Sequence, residues 1–241
     1  MGLRYAVNKN FFKKWSPEMA YVLGYIYADG SLEDASYLRG KYLRVSSVEL
    51  ENLERIKLFL ESEHKIVKKK PTSKNGKMGF LLRIGNHDLY NDLMKLGLYP
   101  NKSLTIDFPD VPLKYLSHFA RGYFDGDGCV MIQKAKGKTQ DFIIKKLNVV
   151  FTSGSKKFLE KLAKQLNFFI GLRQLKIYNG KNSFMLSYST EDSIKIFKFF
   201  YGEIECIFLE RKFNIFSNYF NLRSQRIDPE IKKILDGRVA K

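Results

Sequence analysis

Two stretches of the chain read alike: Val22-Leu23-Gly24-Tyr25-Ile26-Tyr27-Ala28-Asp29-Gly30 and Ala120-Arg121-Gly122-Tyr123-Phe124-Asp125-Gly126-Asp127-Gly128. Each holds two small residues four positions apart and then Asp-Gly. Asp29 and Asp127 stand 98 positions apart, a plausible length for a duplicated half. Each stretch is predicted to be a helix that stops at its Asp-Gly. Ser16 caps the first, with Pro17 at its first position and Glu18 in its first turn. Gly30 and Gly128 are expected to supply the left-handed residue that ends each helix. Ala20, Gly24 and Ala28 recur every fourth residue and share one face, as do Gly122 and Gly126 in the second copy. A face without side-chain bulk lets two backbones approach closely, and the simplest partner for each face is the other copy. Packed so, the helices bring Asp29 and Asp127 to one point.

A helix C-terminus carries partial negative charge from its free carbonyls, so one carboxylate there is disfavoured and two converging ones more so. A divalent cation resolves the conflict. Mg²⁺ prefers oxygen ligands of this kind, completed by substrate phosphates and water.

These paired, spaced motifs resemble those of the LAGLIDADG homing endonucleases in their single-chain, two-repeat form, over about residues 15 to 220. Tyr27 stands where the motif has an Asp, whereas Asp125 keeps it. Asp125 lies two residues before Asp127, nearly opposite on the helix, and is not expected to be catalytic. The resemblance implies Asp29 and Asp127 as catalytic metal ligands, with the backbone carbonyls of Ala28 and Gly126 beside them. Mn²⁺ is expected to substitute for Mg²⁺, and Ca²⁺ to support binding without cleavage. Family members often carry a Lys in each half near the scissile phosphate. The matching residues are Lys102 in Leu96-Gly-Leu-Tyr-Pro-Asn-Lys-Ser103 and Lys212 in Phe208-Leu-Glu-Arg-Lys-Phe213, with Arg211 as an alternative to Lys212. Ser47 and Ser153 fall near where some relatives place a polar residue close to the hydrolytic water.

Composition points the same way. The 241 residues hold 42 Lys plus Arg against 25 Asp plus Glu, a net charge of +17, which implies a polyanionic partner, nucleic acid before membrane. Cys129 and Cys206 are too few for a zinc site or a disulfide framework, so a reducing, intracellular compartment is expected. Cys129 is expected to be a buried strand residue. No stretch reaches membrane-spanning length. The ends show no splice-junction residues, which favours an intron-encoded or free-standing enzyme over an intein.

Along the chain, strands are expected at 31–39 and 42–48, a helix at 49–62, a hairpin at 64–70 and 78–85, and a helix at 87–96 ended by Gly97. After a proline-bearing linker the order recurs: strands at 129–136 and 143–153, a helix at 155–168, and a hairpin at 171–178 and 183–189 turning at Asn179-Gly180. Helices at 191–201 and 206–219 follow, and Asp228-Pro229 opens a tail helix. The expected fold is α+β. Two pseudo-symmetric repeats (helix, two strands, helix, two strands, helix) each carry a four-stranded antiparallel sheet with one face free to form a DNA-binding saddle, and a two-helix interface joins them. The repeats are residues 1–98 and 115–220, with a linker at 99–114 and a tail at 221–241.

The free faces are expected to enter the DNA major groove, where Arg, Lys, Gln and Asn read base edges. The candidates are Arg39, Lys41, Arg44, Lys68, Lys70, Lys74, Lys77 and Arg83 in the first half. In the second they are Gln133, Lys134, Lys136, Lys138, Gln140, Lys145, Arg173, Gln174, Lys176 and Lys181. Strand side chains alternate faces, so a one-residue slip in register inverts such a list. The expected activity is site-specific double-strand DNA cleavage by metal-activated water, at an asymmetric target of about 20 base pairs. No protein partner or membrane is required. The alternative is a non-catalytic nucleic-acid-binding protein on the same fold, an intron RNA maturase or a degenerate regulator, and host intron RNA is a possible second partner.

Overall fold

In the computed structural model the described residues are 5–35, 37, 40–71, 78–136, 142–173, 176–203 and 206–239. The first repeat runs α1 (Pro17–Asp29), β1 (Gly30–Ala35), β2 (Gly40–Ser47), α2 (Leu50–Phe59), β3 (Ile66–Lys69), β4 (Gly79–Gly85) and α3 (His87–Lys95). The second runs α4 (Leu116–Asp127), β5 (Gly128–Lys136), β6 (Phe142–Ser153), α5 (Lys156–Ile170), β7 (Tyr178–Gly180), β8 (Ser183–Tyr188) and α6 (Thr190–Tyr201), followed by α7 (Glu210–Leu222) and α8 (Pro229–Val239). The sheets are antiparallel, ordered β1-β2-β4-β3 and β5-β6-β8-β7. The chain divides into two compact units, Met1–Gly126 and Asp127–Lys241, so the body of α4 belongs to the first.

The start of α1 follows from Ser16, whose Oγ accepts from the Met19 amide, and from Pro17 at the first helical position. Residues Met19 to Tyr27 of α1 are all buried, which is why the helix is apolar all round rather than striped. In the first sheet, register aligns Leu32 with Leu43 and Ile84, and Val45 with Leu82 and Ile66. These rows meet Leu53 and Ile56 of α2 and Leu89 and Leu93 of α3 in one apolar core. In the second unit Val130, Val149, Phe151, Leu186 and Tyr188 face Phe158, Leu159, Leu162 and Leu166 of α5, all buried. Phe197 of α6 gathers the rings of Phe213, Phe216 and Phe220 from α7. Asp228 caps α8 by accepting from the Ile231 amide.

Four expectations are corrected. Gly30 is extended (φ −93°, ψ 157°), and among the described residues Gly97 and Gly171 are the glycines with positive φ, so neither Gly30 nor Gly128 is left-handed. The chain enters the ladder at once, with Gly30 opposite Val45 and Gly128 opposite Phe151. Glycine is needed at position 30 for space, since a Cβ there falls 2.6 Å from the Ile26 carbonyl oxygen. Cys129 is exposed, because it alternates with buried Val130 and so lies on the sheet face that the helices leave open. Asn179 and Gly180 are strand residues opposite Phe184 and Ser183; the turn is Lys181-Asn182, with Asn182 left-handed at φ 59°. Lastly, α7 begins at Glu210, four residues later than expected; before it, Phe208 packs on the rings of Tyr201 and Phe213.

Candidate active site and nucleic-acid interface

Helices α1 and α4 touch backbone to backbone. A Cβ added at Gly24 falls 2.1 Å from the Phe119 carbonyl oxygen, and one at Gly122 falls 2.0 Å from that of Tyr21. Neither position tolerates even a methyl group without the helices parting. Towards the C-terminal ends, a Cβ at Gly126 meets Ala28 Cβ at 2.4 Å and lies 3.4 Å from Asp29 Oδ2. Gly126 therefore sits against the last turn of α1. Asp127 is the next residue in the chain and the last of α4.

The buried part of this interface is polar as well as tight. Tyr21 donates its hydroxyl to Asp125 Oδ2 at 2.8 Å, and burial, then the Asp125 charge, pushes the Tyr21 phenol well above its ordinary pKa. Asp125 is thus tied into the helix pair, while Asp127 is exposed and Asp29 half-buried. Arg121 is fully buried with its guanidinium 2.8 Å from His118 Nδ1. Beside Asp29, Tyr25 donates to Ser47 Oγ at 3.2 Å; burial first, and the Asp29 charge second, raise its pKa. Ser153 is buried and accepts from the Ser155 amide.

A buried lysine stands at the end of each motif. Lys102 sits on a 3₁₀ turn that follows the left-handed Asn101 (φ 59°), is only 4% exposed, and donates to the Tyr27 carbonyl at 2.7 Å. Lys212 lies in the first turn of α7, is 2% exposed, and donates to the Gly128 carbonyl at 2.6 Å. Arg211, one residue earlier, is exposed. Tyr27 lies two residues before Asp29, and Gly128 directly follows Asp127. Each helix end offers one carboxylate beside backbone carbonyls, hard oxygen donors of the kind that suit Mg²⁺ or Ca²⁺. Among the described residues no group of three or more His, Cys, Asp or Glu gathers, so a cation at such an end needs oxygens from elsewhere.

Strand register sorts the basic residues. Arg44 and Arg83 are direct partners on the open face of the first sheet. Lys41 shares the helix-covered face with Leu43, its ammonium 4.9 Å from the centre of the Tyr90 ring on α3. Lys68 shares that same face with Ile66, since Ile66 pairs with buried Leu82. For Lys41 and Lys68 the expected exposure on the free face is therefore corrected; Lys69, with Val67, holds that face instead. Lys70 lies just beyond β3 and is exposed. In the second sheet Gln133 pairs with Lys146, and a bulge between Gln133 and Lys134 leaves Lys145 as the extra residue. Lys134 and Lys136 are exposed on the hairpin arm beyond the bulge, and Lys176 and Lys181 are exposed in a loop and a turn. Arg173 donates from Nε to the buried Asp192 on α6 at 3.0 Å. Arg39, Lys74, Lys77, Lys138, Gln140 and Gln174 lie outside the described residues. Sequence reasoning passed over Glu33 and Tyr42, which bind Arg83. The available signal was Gly40 and Gly85, two glycines in strands flanking an aromatic residue.

Residues 114–200 match the family model described as a LAGLIDADG-like domain. The fold is similar to that of the LAGLIDADG meganuclease I-AabMI bound to uncleaved DNA, at 15% identity and a TM-score of 0.58, covering 93% of this chain and 98% of that one. It is also similar to the homing endonuclease I-WcaI bound to its DNA recognition sequence, at 16% identity and a TM-score of 0.57 over 86% and 91% of the two chains. I-SmaMI bound to an uncleaved DNA target in the presence of calcium ions compares at 17% identity and a TM-score of 0.56 over 93% and 99%. A comparison of the sequence with curated proteins gave no match. The likeness along nearly the whole length, with the domain match in the second repeat, gives this chain the two-repeat fold of the LAGLIDADG meganucleases.

Proposed function

We propose that the chain is a site-specific, metal-dependent double-strand DNA endonuclease that hydrolyses one phosphodiester bond in each strand of an asymmetric site of about 20 base pairs. The observation that carries this is the repeated end of the motif. In each copy a glycine-bearing helix finishes on Asp29 or Asp127, and a buried ammonium is held on a backbone carbonyl within two residues of that Asp. A surface lysine has no need of such burial. A desolvated cation held at the helix end that carries the Asp suits a site where negative charge builds on a phosphate.

Asp29 and Asp127, with the carbonyls of Ala28 and Gly126, are the proposed ligands for Mg²⁺. The ion, when bound, supplies Lewis acidity and lowers the pKa of an attacking water. Lys102 and Lys212 place positive charge near the phosphate that each half cuts. The open sheet faces and exposed lysines supply contacts to base edges and to the DNA backbone. The DNA held by I-AabMI and I-WcaI supports duplex DNA as the partner. The reading places the protein in a reducing, intracellular compartment.

The test is cleavage of a pool of duplexes carrying randomised sites, with Mg²⁺ present and the cut ends sequenced. One asymmetric family of sites should emerge, cut in both strands. Asp29→Asn and Asp127→Asn should lower cutting by about 10²-fold or more, the scale on which losing one transition-state stabiliser acts, while DNA binding survives. Asp125→Asn should still cut. Binding without any cleavage by the wild-type chain would favour a non-catalytic nucleic-acid-binding role.

A further inference from the structure

The open face of the first sheet holds an arginine already aimed. The Tyr42 ring lies flat on the strands because its neighbours have no side chain: a Cβ at Gly40 falls 2.3 Å from Tyr42 Cε2, and one at Gly85 falls 2.9 Å from Cε1. Gly85 is the register partner of Tyr42, and Gly40 lies two residues before it on the same face. The Arg83 guanidinium rests on that ring, with Cζ 3.5 Å from its centroid. Arg83 Nε donates to Glu33 Oε2 at 3.2 Å and Nη2 to Glu33 Oε1 at 3.0 Å, a bond pair that reaches across β2. Arg44 Nη1 stands 3.6 Å from the same Glu33 carboxylate. The side chains of Arg83 and Glu33 are 42% and 34% exposed, so the group faces solvent.

From this geometry we infer that Glu33 and Tyr42 are positioning residues that aim Arg83 at a guanine in the major groove. The inference rests on the sheet being a DNA-contacting face. Guanidinium has five N–H donors in a fixed fork. Glu33 occupies the side edge formed by Nε and one Nη2 hydrogen. The remaining parallel pair, one hydrogen on each terminal nitrogen, matches the O6 and N7 acceptors of guanine. The Tyr42 face fixes the plane of the fork, and an arginine held before binding loses less rotamer freedom on binding. The carboxylate has a second effect. A negative charge on a face turned to phosphates weakens binding to any DNA, so Glu33 sharpens base choice while lowering generic affinity. No support for the fold alone would produce that opposition.

The test uses the full chain, its selected target duplex and random-sequence duplexes, with every single base-pair change made in the target. Wild type should discriminate at one G·C pair by about 5- to 150-fold, the span given by one bidentate arginine–guanine pair. Glu33→Gln keeps the shape and removes the charge. It should flatten preference at that pair alone, leave binding to random DNA unchanged or tighter, and leave the melting midpoint in place, since half-exposed ion pairs contribute little to stability. Arg83→Lys should flatten the same pair, and the double variant should add nothing further. An unchanged profile in Glu33→Gln overturns the inference alone. So does a uniform loss across all positions with a lowered melting midpoint. A wild-type chain with no base preference anywhere overturns both the inference and the endonuclease reading.

Discussion

On the open face of the first sheet, Glu33 gathers Arg44 and Arg83, and Arg83 lies over the Tyr42 ring. On that of the second, the register places Cys129 with Val150 and Ser187, Met131 with Asn148, and Thr152 with Met185. The first face is charged at its centre. The second is apolar and weakly polar there, and its positive charge stands out on the hairpin arm at Lys134, Lys136 and Lys145. Fork-shaped donors suit purine edges, whereas methyl and thioether groups suit the thymine methyl. The helices contrast with this divergence. A Cβ added at Gly24 or at Gly122 would fall 2.1 or 2.0 Å from a carbonyl oxygen of the other helix, nearly the same distance. Sheets can change their reading chemistry residue by residue, but two touching backbones admit one residue type. The two lysines fall between these extremes. Both are buried on a carbonyl beside the motif Asp, but Lys102 takes that of Tyr27 and Lys212 that of Gly128, from unlike elements.

The largest effect should come from breaking what the repeats share. Gly24→Leu and Gly122→Leu each drive a side chain into a carbonyl oxygen. Overpacking commonly costs about 1–3 kcal/mol, and contact with backbone rather than a movable side chain puts both at the top of that range or beyond it. At about 2–4 °C per kcal/mol for a chain of this size, the melting midpoint should fall by roughly 6–12 °C or more. Variants that melt like wild type and still cut would show that the helices do not depend on this contact.

The lysines sharpen the comparison at the level of chemistry. Lys102→Met and Lys212→Met keep the aliphatic stem and remove the ammonium. Each should slow one strand by about 10²-fold, so nicked DNA should accumulate with opposite strands nicked in the two variants. Because the two ammonium groups hold different carbonyls, the two rates need not be equal. Equal slowing of both strands by either variant would show that the lysines do not serve separate cuts.

What the sequence made legible follows from how many residues each feature depends on. A pair of small residues four positions apart, repeated, has few physical readings, so Gly24 and Gly122 could be placed on touching helices from the sequence. Ser16, Pro17, Asp228 and the apolar period of α5 were readable for the same reason: local chemistry decides them. Faces of strands were not. Lys68 was read in the right strand and Lys41 just before one that in fact begins at Gly40, but both fall on the helix side, because parity depends on a register that no local signal fixes. Glu33 was passed over because an acid in a basic sheet looks like noise until its two arginine partners are known. Asn179-Gly180 looked like the turn because that dipeptide is a strong turn former, but Asn182 takes the left-handed position. The Asp-Gly ends were read correctly as stops, with the wrong reason for the glycine.

The smallest expected effect separates the sheets by pH. In the first, His64 joins the start of β3 to the end of β4: its Nε2 accepts from the Gly85 amide at 3.2 Å, and its Nδ1 stands 2.9 Å from Ser62 Oγ. An amide can only donate, so Nε2 carries the lone pair and Nδ1–H donates to Ser62. Burial first, and the nearby Lys57 second, hold the His64 pKa below its ordinary 6.5, against a smaller opposing pull from Glu63. In the second sheet the β6 arm is braced by Arg223 donating to the Ile144 carbonyl, with no histidine in that contact. The sign follows from linkage. Above pH 6.5 His64 is neutral in folded and unfolded chains alike and contributes no slope. Below it the unfolded chain takes up a proton that the fold resists, so stability falls with pH until the lower folded pKa is reached, by at most about 1.4 kcal/mol per pH unit. Between pH 7.5 and 5.5 the denaturation midpoint of wild type should therefore drop further than that of His64→Gln. Hydrogen-exchange protection should weaken at the Gly85 amide, while the Val149 amide, which donates to Ser193 Oγ, should hold. Equal drops in the two proteins, or equal weakening at both amides, would remove His64 as the latch that sets the first sheet apart.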